Sequence, residues 1–239
     1  MRILLTRPQQ DAVRFAELLQ ARGHQPLCAA LLSVRFFDGP VLTLAGVSAI
    51  LATSANGVRA LARRTKERAL PLFAVGPQTA DAARAAGFEK IEFSDGDAAT
   101  LAEAMLGWLK PDSGVLLHAA SADNEGRLKT LLAEEGYRVA VQVLYEIIAI
   151  HKLPDLAREA LAQKGLDAVT VFSRNSALAL QDCIDRAGLS EACRGLVAVC
   201  ISAAAAEALA PLPFRSVVIA EKPNQNAMLD AVERAAALA

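Results

Sequence analysis

Between Leu72 and Phe88 the chain reads LFAVGPQTADAARAAGF. Four apolar residues lead to Gly76, Pro77 stands where a helix would begin, and Gly87 stands where it would stop. Proline suits the first helical position, where an N–H has no helical partner to lose. A glycine start supplies no side-chain oxygen for the first amides of the helix. Those amides, the positive end of the helix dipole and the Thr79 hydroxyl together make an anion site. The same residues also suit a plain tight turn from strand to helix, with Thr79 capping locally.

Other residues raise the same kind of choice. Ser54-Ala55-Asn56 follows an apolar run, and so does Ser173. Serine is a good N-cap, so capping alone explains both. A second reading has their helix N-termini, with Asn56, facing the cleft outside the strand C-terminal ends, where open parallel sheets bind ligands. Arg7, just after the first apolar run, is either a partner for a carboxylate in such a cleft or a solvated charge. Tyr145 is one of two tyrosines and sits in an extended apolar stretch. A strand tyrosine usually packs half-buried; on a strand between domains its hydroxyl could instead point into the gap. No G-x-G-x-x-G and no G-x-x-x-x-G-K-[ST] is present, which disfavours dinucleotide and P-loop chemistry. Any catalysis should then rest mainly on backbone dipoles and positioning.

The elements that must carry these residues are legible as alternation. The apolar runs Ile3 to Thr6, Ala49 to Thr53, Leu72 to Val75, Val115 to Leu117, Ala168 to Phe172, Val197 to Ile201 and Val217 to Ala220 each precede a helical pattern. Runs without internal alternation suit strands buried on both faces of a parallel α/β sheet. Leu32 to Phe37 and Val141 to Ile150 break the rhythm, since no helix directly follows either.

An internal repeat orders the rest. ILATSANGVRALA from Ile50 resembles VTVFSRNSALALQ from Val169, so Ser54 aligns with Ser173. FAVGPQTADAA from Phe73 resembles VCISAAAAEAL from Val199, so Gly76 aligns with Ser202. The N-terminal ILLTRPQQDAVRFAELLQARGH resembles VLLHAASADNEGRLKTLLAEEGY from Val115. One copy is contiguous; the other begins at the N-terminus and resumes after residue 150. The expected organisation is therefore a discontinuous α/β domain, 1–32 plus 151–239, with a similar parallel-sheet domain, 39–142, inserted in it. Connector strands 33–38 and 143–150 would form a two-stranded antiparallel linker.

The totals set limits. A length of 239 residues suits two small domains, and 54% apolar residues supply their cores. A net charge of −1 argues against nucleic acid as partner. Cys28, Cys183, Cys193 and Cys200 form no C-x-x-C pair, and His24, His118 and His151 are scattered, so a metal site is not expected. The apolar run of MRILLTRP is too short for a signal peptide, and no segment approaches the ~18 apolar residues of a membrane helix. A soluble cytoplasmic protein without membrane partners is expected.

Taken in order, ILLTRP, TSANGVRAL, AVGPQTADAARAAGF, LYEI, VTVFSRNSALAL and VVIAEKPNQNAMLDAV resemble the uroporphyrinogen-III synthase family over essentially the whole chain. The resemblance implies two like α/β domains around a cleft that binds hydroxymethylbilane, a linear tetrapyrrole with eight carboxylates. It implies closure to uroporphyrinogen III with inversion of the last pyrrole and loss of water, by a monomer using no metal or organic cofactor. Residue by residue, Thr79 matches the family's Thr in its G-P-x-T turn, and Tyr145 matches the linker-strand tyrosine that assists departure of the hydroxyl. Ser54 and Ser173 match residues that open helices facing the cleft. Ser202-Ala203-Ala204-Ala205 departs from the family's Gly-Pro-x-Thr, leaving Ser202 as the only hydroxyl there. The alternative of a different class is a two-domain regulator that binds a small anion or tetrapyrrole without turnover.

Overall fold

The computed structural model describes residues 1–123 and 126–238, the side chain of Gln10 apart. Asn124 and Glu125, within the repeat stretch from Val115, lie outside the described residues, as does Ala239. Along the chain come β1 (Arg2–Leu5), α1 (Gln9–Gln20), β2 (Gln25–Cys28), β3 (Leu32–Phe36), β4 (Val47–Ala52), α2 (Ala55–Arg64), β5 (Leu72–Val75), α3 (Pro77–Ala85), β6 (Ile91–Ser94) and α4 (Ala98–Trp108). There follow β7 (Val115–Ser121), α5 (Arg127–Glu134), β8 (Arg138–Ala149), α6 (Asp155–Ala162), β9 (Ala168–Val171), α7 (Arg174–Ala187), β10 (Val197–Cys200), α8 (Ala203–Glu207), β11 (Ser216–Ile219) and α9 (Gln225–Ala236). Among the described residues no helix is long and apolar enough to cross a membrane.

Two compact units emerge: Met1–Ser33 with Ile148–Ala239, and Val34–Ile147 inserted in the first. In the discontinuous unit the strands lie in the order β2-β1-β9-β10-β11, each pair parallel. In the inserted unit the order is β8-β7-β4-β5-β6, again parallel, with β3 added beside β8. The repeat aligns β9, β10, β11, β1 and β2 with β4, β5, β6, β7 and β8. The two sheets then have one order, and differ only in where the chain enters it. Within each, the order reverses once: between β1 and β9, and between β7 and β4.

The connector stretches pair antiparallel. The Phe37 N–H donates to the Leu144 carbonyl in the inserted unit, and the Ile150 N–H to the Leu31 carbonyl in the other, so one strand ascends as its partner descends. They are not separate elements, however. β8 starts at Arg138 and runs beside β7 through Tyr145, so Tyr145 lies in the inserted sheet rather than in a free linker.

Burial follows the topology. All four residues of β9 and of β10 are buried, as central parallel strands require. β2 and β6 have no counterpart in the sequence reading, and both lie at sheet edges. β2 carries Pro26, which an edge tolerates, and Ile91-Glu92-Phe93-Ser94 of β6 is largely exposed. The inserted sheet has a core on each face. Ile50, Ala52, Leu117, Ala119 and Leu144 pack with Val58 and Leu61 of α2 on one side. Ala49, Leu51 and Leu116 pack with Leu101 of α4 and Leu128 of α5 on the other.

His118 sits opposite Leu51 in the β4–β7 ladder, fully buried, with neither ring nitrogen hydrogen-bonded. Burial strips the imidazolium of its hydration and holds the pKa down to about 4. The unfolded chain, with the ordinary value near 6.5, takes up the proton first as pH falls. Stability is therefore complete above about pH 6.5 and is lost progressively toward pH 4, by up to about 3 kcal/mol. His118→Leu, which fits the apolar surroundings, should flatten that part of the profile. Urea midpoints measured between about pH 7 and pH 4.5 check this; an undiminished acid loss in the variant would contradict it.

Candidate functional site

In a doubly wound sheet, ligands bind where the strand order reverses, beyond the strand C-terminal ends. In the inserted unit that position lies between β4 and β7. Ser54 follows β4 and Ser121 ends β7. β8, next to β7, contributes Tyr145 through an irregularity. The β7–β8 register pairs Ala120 with Val143 and then Ser121 with Tyr145, skipping Leu144. A one-residue slip turns later side chains to the opposite face. Without it Tyr145 would face α4 and α5. With it, Tyr145 joins Leu117, Ala119 and Leu144 on the α2 face.

There the Tyr145 hydroxyl lies 2.6 Å from Ser54 Oγ. Ser54 is the N-cap of α2 and accepts the Gly57 N–H at 3.1 Å. The start of α2 sits close on β7: a Cβ on Gly57 would lie 2.6 Å from the Ala119 carbonyl oxygen. Glycine at this position lets the helix approach the strand, and so lets Ser54 reach the phenol. Tyr145 is 4% exposed. Burial raises its pKa above the ordinary phenol value. The Ser54 hydroxyl opposes that rise, the Asp123 carboxylate adds to it, and the Ser121 hydroxyl opposes it again. The net direction is upward, so the phenol stays protonated at neutral pH.

The other tyrosine shows the contrast. The Tyr137 hydroxyl is bonded to the Met105 and Leu109 carbonyls at the end of α4, which is a structural use of a buried phenol.

The G-P-x-T turn stands at the next helix start of the same unit. Gly76 has φ 74° and ψ 156°, a conformation open essentially to glycine alone. Its N–H donates to the Ser94 carbonyl, and no side chain caps α3. The glycine thus has a backbone reason, and the uncapped helix end is its consequence. Pro77 is the first helical residue and Thr79 the third, the latter buried. Asn56, in the first turn of α2, accepts from the Arg59 guanidinium at 2.8 Å.

The remaining residues belong to the discontinuous unit. Ser173 caps α7 in a reciprocal box with Ser176, each hydroxyl accepting the other residue's N–H at 3.0 Å. Ser202 caps α8 through the Ala205 N–H at 3.3 Å, and α8 has only five residues. The Arg7 guanidinium lies 4.1 Å above the Phe172 ring and 4.0 Å from Asp11, largely buried rather than solvated. Of the sequence-derived residues, then, Ser54 and Tyr145 come into contact. Ser121 was missed because its strand was expected to end at Leu117; the three residues His118-Ala119-Ala120 mask the continuation.

A family model described as uroporphyrinogen-III synthase HemD matches residues 13–230. Uroporphyrinogen-III synthetase from Helicobacter pylori 26695 is similar in structure, with a TM-score of 0.65 at 20% identity, over 98% of this chain and 99% of that one. A triple mutant of uroporphyrinogen III synthase from the extremely thermophilic bacterium Thermus thermophilus aligns over the full length of both chains, with a TM-score of 0.53 at 21% identity. At these identities the two structures speak for the fold. Comparison with curated proteins finds no match.

The close seat of α2 has a measurable consequence. Gly57→Ala gains up to ~1 kcal/mol of helix propensity. It also drives a methyl group into a backbone oxygen of a paired strand, an overpacking cost of about 1–3 kcal/mol. We expect net destabilisation in urea unfolding; a variant more stable than the parent would contradict the packing described.

Proposed function

The chain belongs to the uroporphyrinogen-III synthase family and closes hydroxymethylbilane to uroporphyrinogen III, with inversion of the last pyrrole ring and loss of water; from that premise we propose that Tyr145 is the catalytic residue and that helix N-termini hold the substrate's carboxylates. The observation that carries the first part is the buried phenol at the reversal of the inserted sheet, set against Ser54. The phenol donates a hydrogen bond to the hydroxymethyl oxygen as its C–O bond breaks and the bonding pair leaves with oxygen. The azafulvene cation left behind is attacked by the substituted carbon of the last ring. That attack makes the substituted carbon quaternary, joined to both bridging methylenes in a spiro intermediate. Its original bond to the methylene of the preceding ring then breaks, leaving a second azafulvene cation, and that methylene rejoins the last ring at its free α-carbon. The proton on that α-carbon leaves as aromaticity returns and balances the departed hydroxide, so one water is lost overall.

The rest of the task is positioning. Closure without inversion is the simpler outcome for a free bilane, so the protein must hold the chain in the fold that brings the substituted carbon to the cation. Gly76, Pro77 and Thr79 offer a carboxylate the uncapped start of α3. Ser54 and Ser173 open helices of ten and fourteen residues, with Asn56 in the first turn of the former. Ser202 opens a shorter one, and Arg7 adds positive charge beside β1. The four cysteines are all free, which favours a reducing compartment such as the cytoplasm. Action as a monomer rests on the family resemblance.

Two substitutions separate chemistry from positioning. Tyr145→Phe keeps the ring and removes the donor. Turnover should fall roughly 10- to 1000-fold, while affinity for a product analogue, which lacks the leaving group, stays close to that of the parent. Near-parental turnover would reduce Tyr145 to packing. Thr79→Ala should weaken analogue binding by about 0.5–1.5 kcal/mol, the worth of one hydrogen bond, as titration calorimetry would show. Complete loss of turnover in a folded Thr79→Ala protein would give Thr79 a chemical role instead.

A further inference from the structure

Resting on the reading of Tyr145 as donor to the departing hydroxyl, we propose that Ser54 is a positioning residue, whose hydroxyl donates to the Tyr145 oxygen and so leaves the phenol proton for the substrate. The sequence suggests a different use for Ser54, binding a carboxylate. In the structure its oxygen is already engaged twice, by the Gly57 N–H and by Tyr145.

A serine hydroxyl has one proton and two acceptor directions. The Gly57 N–H takes one acceptor direction at 3.1 Å. Tyr145 at 2.6 Å is in range for either direction of an O–H···O bond. If the phenol donated to Ser54, its proton would be spent inside the protein and nothing would face the leaving group. Two features favour the opposite direction. Gly57 lies in the first turn of α2, where the helix dipole is positive, and an amide donating into Ser54 Oγ makes the serine a stronger donor in turn. Ser121 stands opposite Tyr145 across the register slip, and its oxygen already accepts the Asp123 N–H at 3.4 Å, which leaves its own proton for a neighbouring acceptor such as the phenol oxygen. With Ser54 donating to it, that oxygen acts as acceptor toward the protein and its own proton points away from Ser54. Removing Ser54 frees the phenol to turn toward another acceptor, of which the Asp123 carboxylate is the charged one nearby.

A double-mutant cycle tests this. Ser54→Gly removes the hydroxyl, and glycine at an N-cap costs only a few tenths of a kcal/mol of helix stability. We expect kcat to fall roughly tenfold or more with KM within about threefold, and Ser54→Thr, which restores a hydroxyl, to recover most of that loss. In the Tyr145→Phe background Ser54→Gly should change kcat by less than about twofold, because no phenol proton remains to direct. A full multiplicative loss in that background would overturn the proposal, as would a loss carried by KM, which would return Ser54 to carboxylate binding. Near-parental turnover of Tyr145→Phe alone would instead overturn the reading of Tyr145, so the two failures are distinguishable. A structural role for Ser54 predicts a fall in melting temperature of equal size in both backgrounds and no kcat-specific effect.

Discussion

Between Ala120 and Ser121 the ladder joining β7 to β8 slips by one residue, and the side chains beyond it change face. That slip decides where the phenol of Tyr145 goes. On a regular strand it would enter the core formed with α4 and α5; after the slip it lies against the start of α2. The arrangement depends on a second close approach, since Gly57 seats α2 on the Ala119 carbonyl where any side chain would hold it off. Bulge and glycine together bring one phenol and two serine hydroxyls to the reversal point of a parallel sheet. Neither residue of the closest pair, Ser54 and Tyr145, would be informative alone.

The two units solve the same folding problem in one strand order and start their helices differently. Ser54, Ser173 and Ser202 each cap a helix with their own hydroxyl. α3 alone of the four repeat-aligned helices that follow β4, β5, β9 and β10 begins without a side-chain cap, at a glycine whose conformation excludes other residues. A capped start retains its local hydrogen bond whether or not a ligand is present. An uncapped start has amides to offer, which suits a substrate whose recognition groups are carboxylates. On the reading proposed above, the α3 start would take a carboxylate, while the α2 start, whose Ser54 is engaged by Tyr145, would serve the chemistry.

Much of this was legible in the sequence because parallel strands buried on both faces announce themselves as bounded apolar runs. The repeat of Ser54 with Ser173, together with the likeness of the N-terminal segment to the stretch from Val115, leads to the expectation that one domain interrupts the other. The edge strands β2 and β6 were not legible, since a short edge strand need not be apolar, and Gln25-Pro26 and Ile91-Glu92 carry no strand pattern. Tyr145 was placed on a linker because LYEI belongs to a stretch with no helix after it. The structure keeps that stretch and extends it backward to Arg138, into the sheet. The register slip leaves no mark in residue types: Leu144 and Tyr145 are both ordinary strand residues, and only pairing with β7 reveals that both turn to one face. Gly76 could be read as an anion-binding start or as a backbone necessity, and its left-handed conformation shows that it is at least the second.

The central claim is that this fold directs a flexible bilane to the inverted closure instead of the simpler one. The direct test is to incubate the protein with freshly prepared hydroxymethylbilane, oxidise the product and separate the uroporphyrin isomers, with a protein-free control run for the same time. The account predicts the type III isomer at a rate that outpaces spontaneous closure. Type I isomer in both samples, with the bilane consumed no faster than in the control, would contradict it.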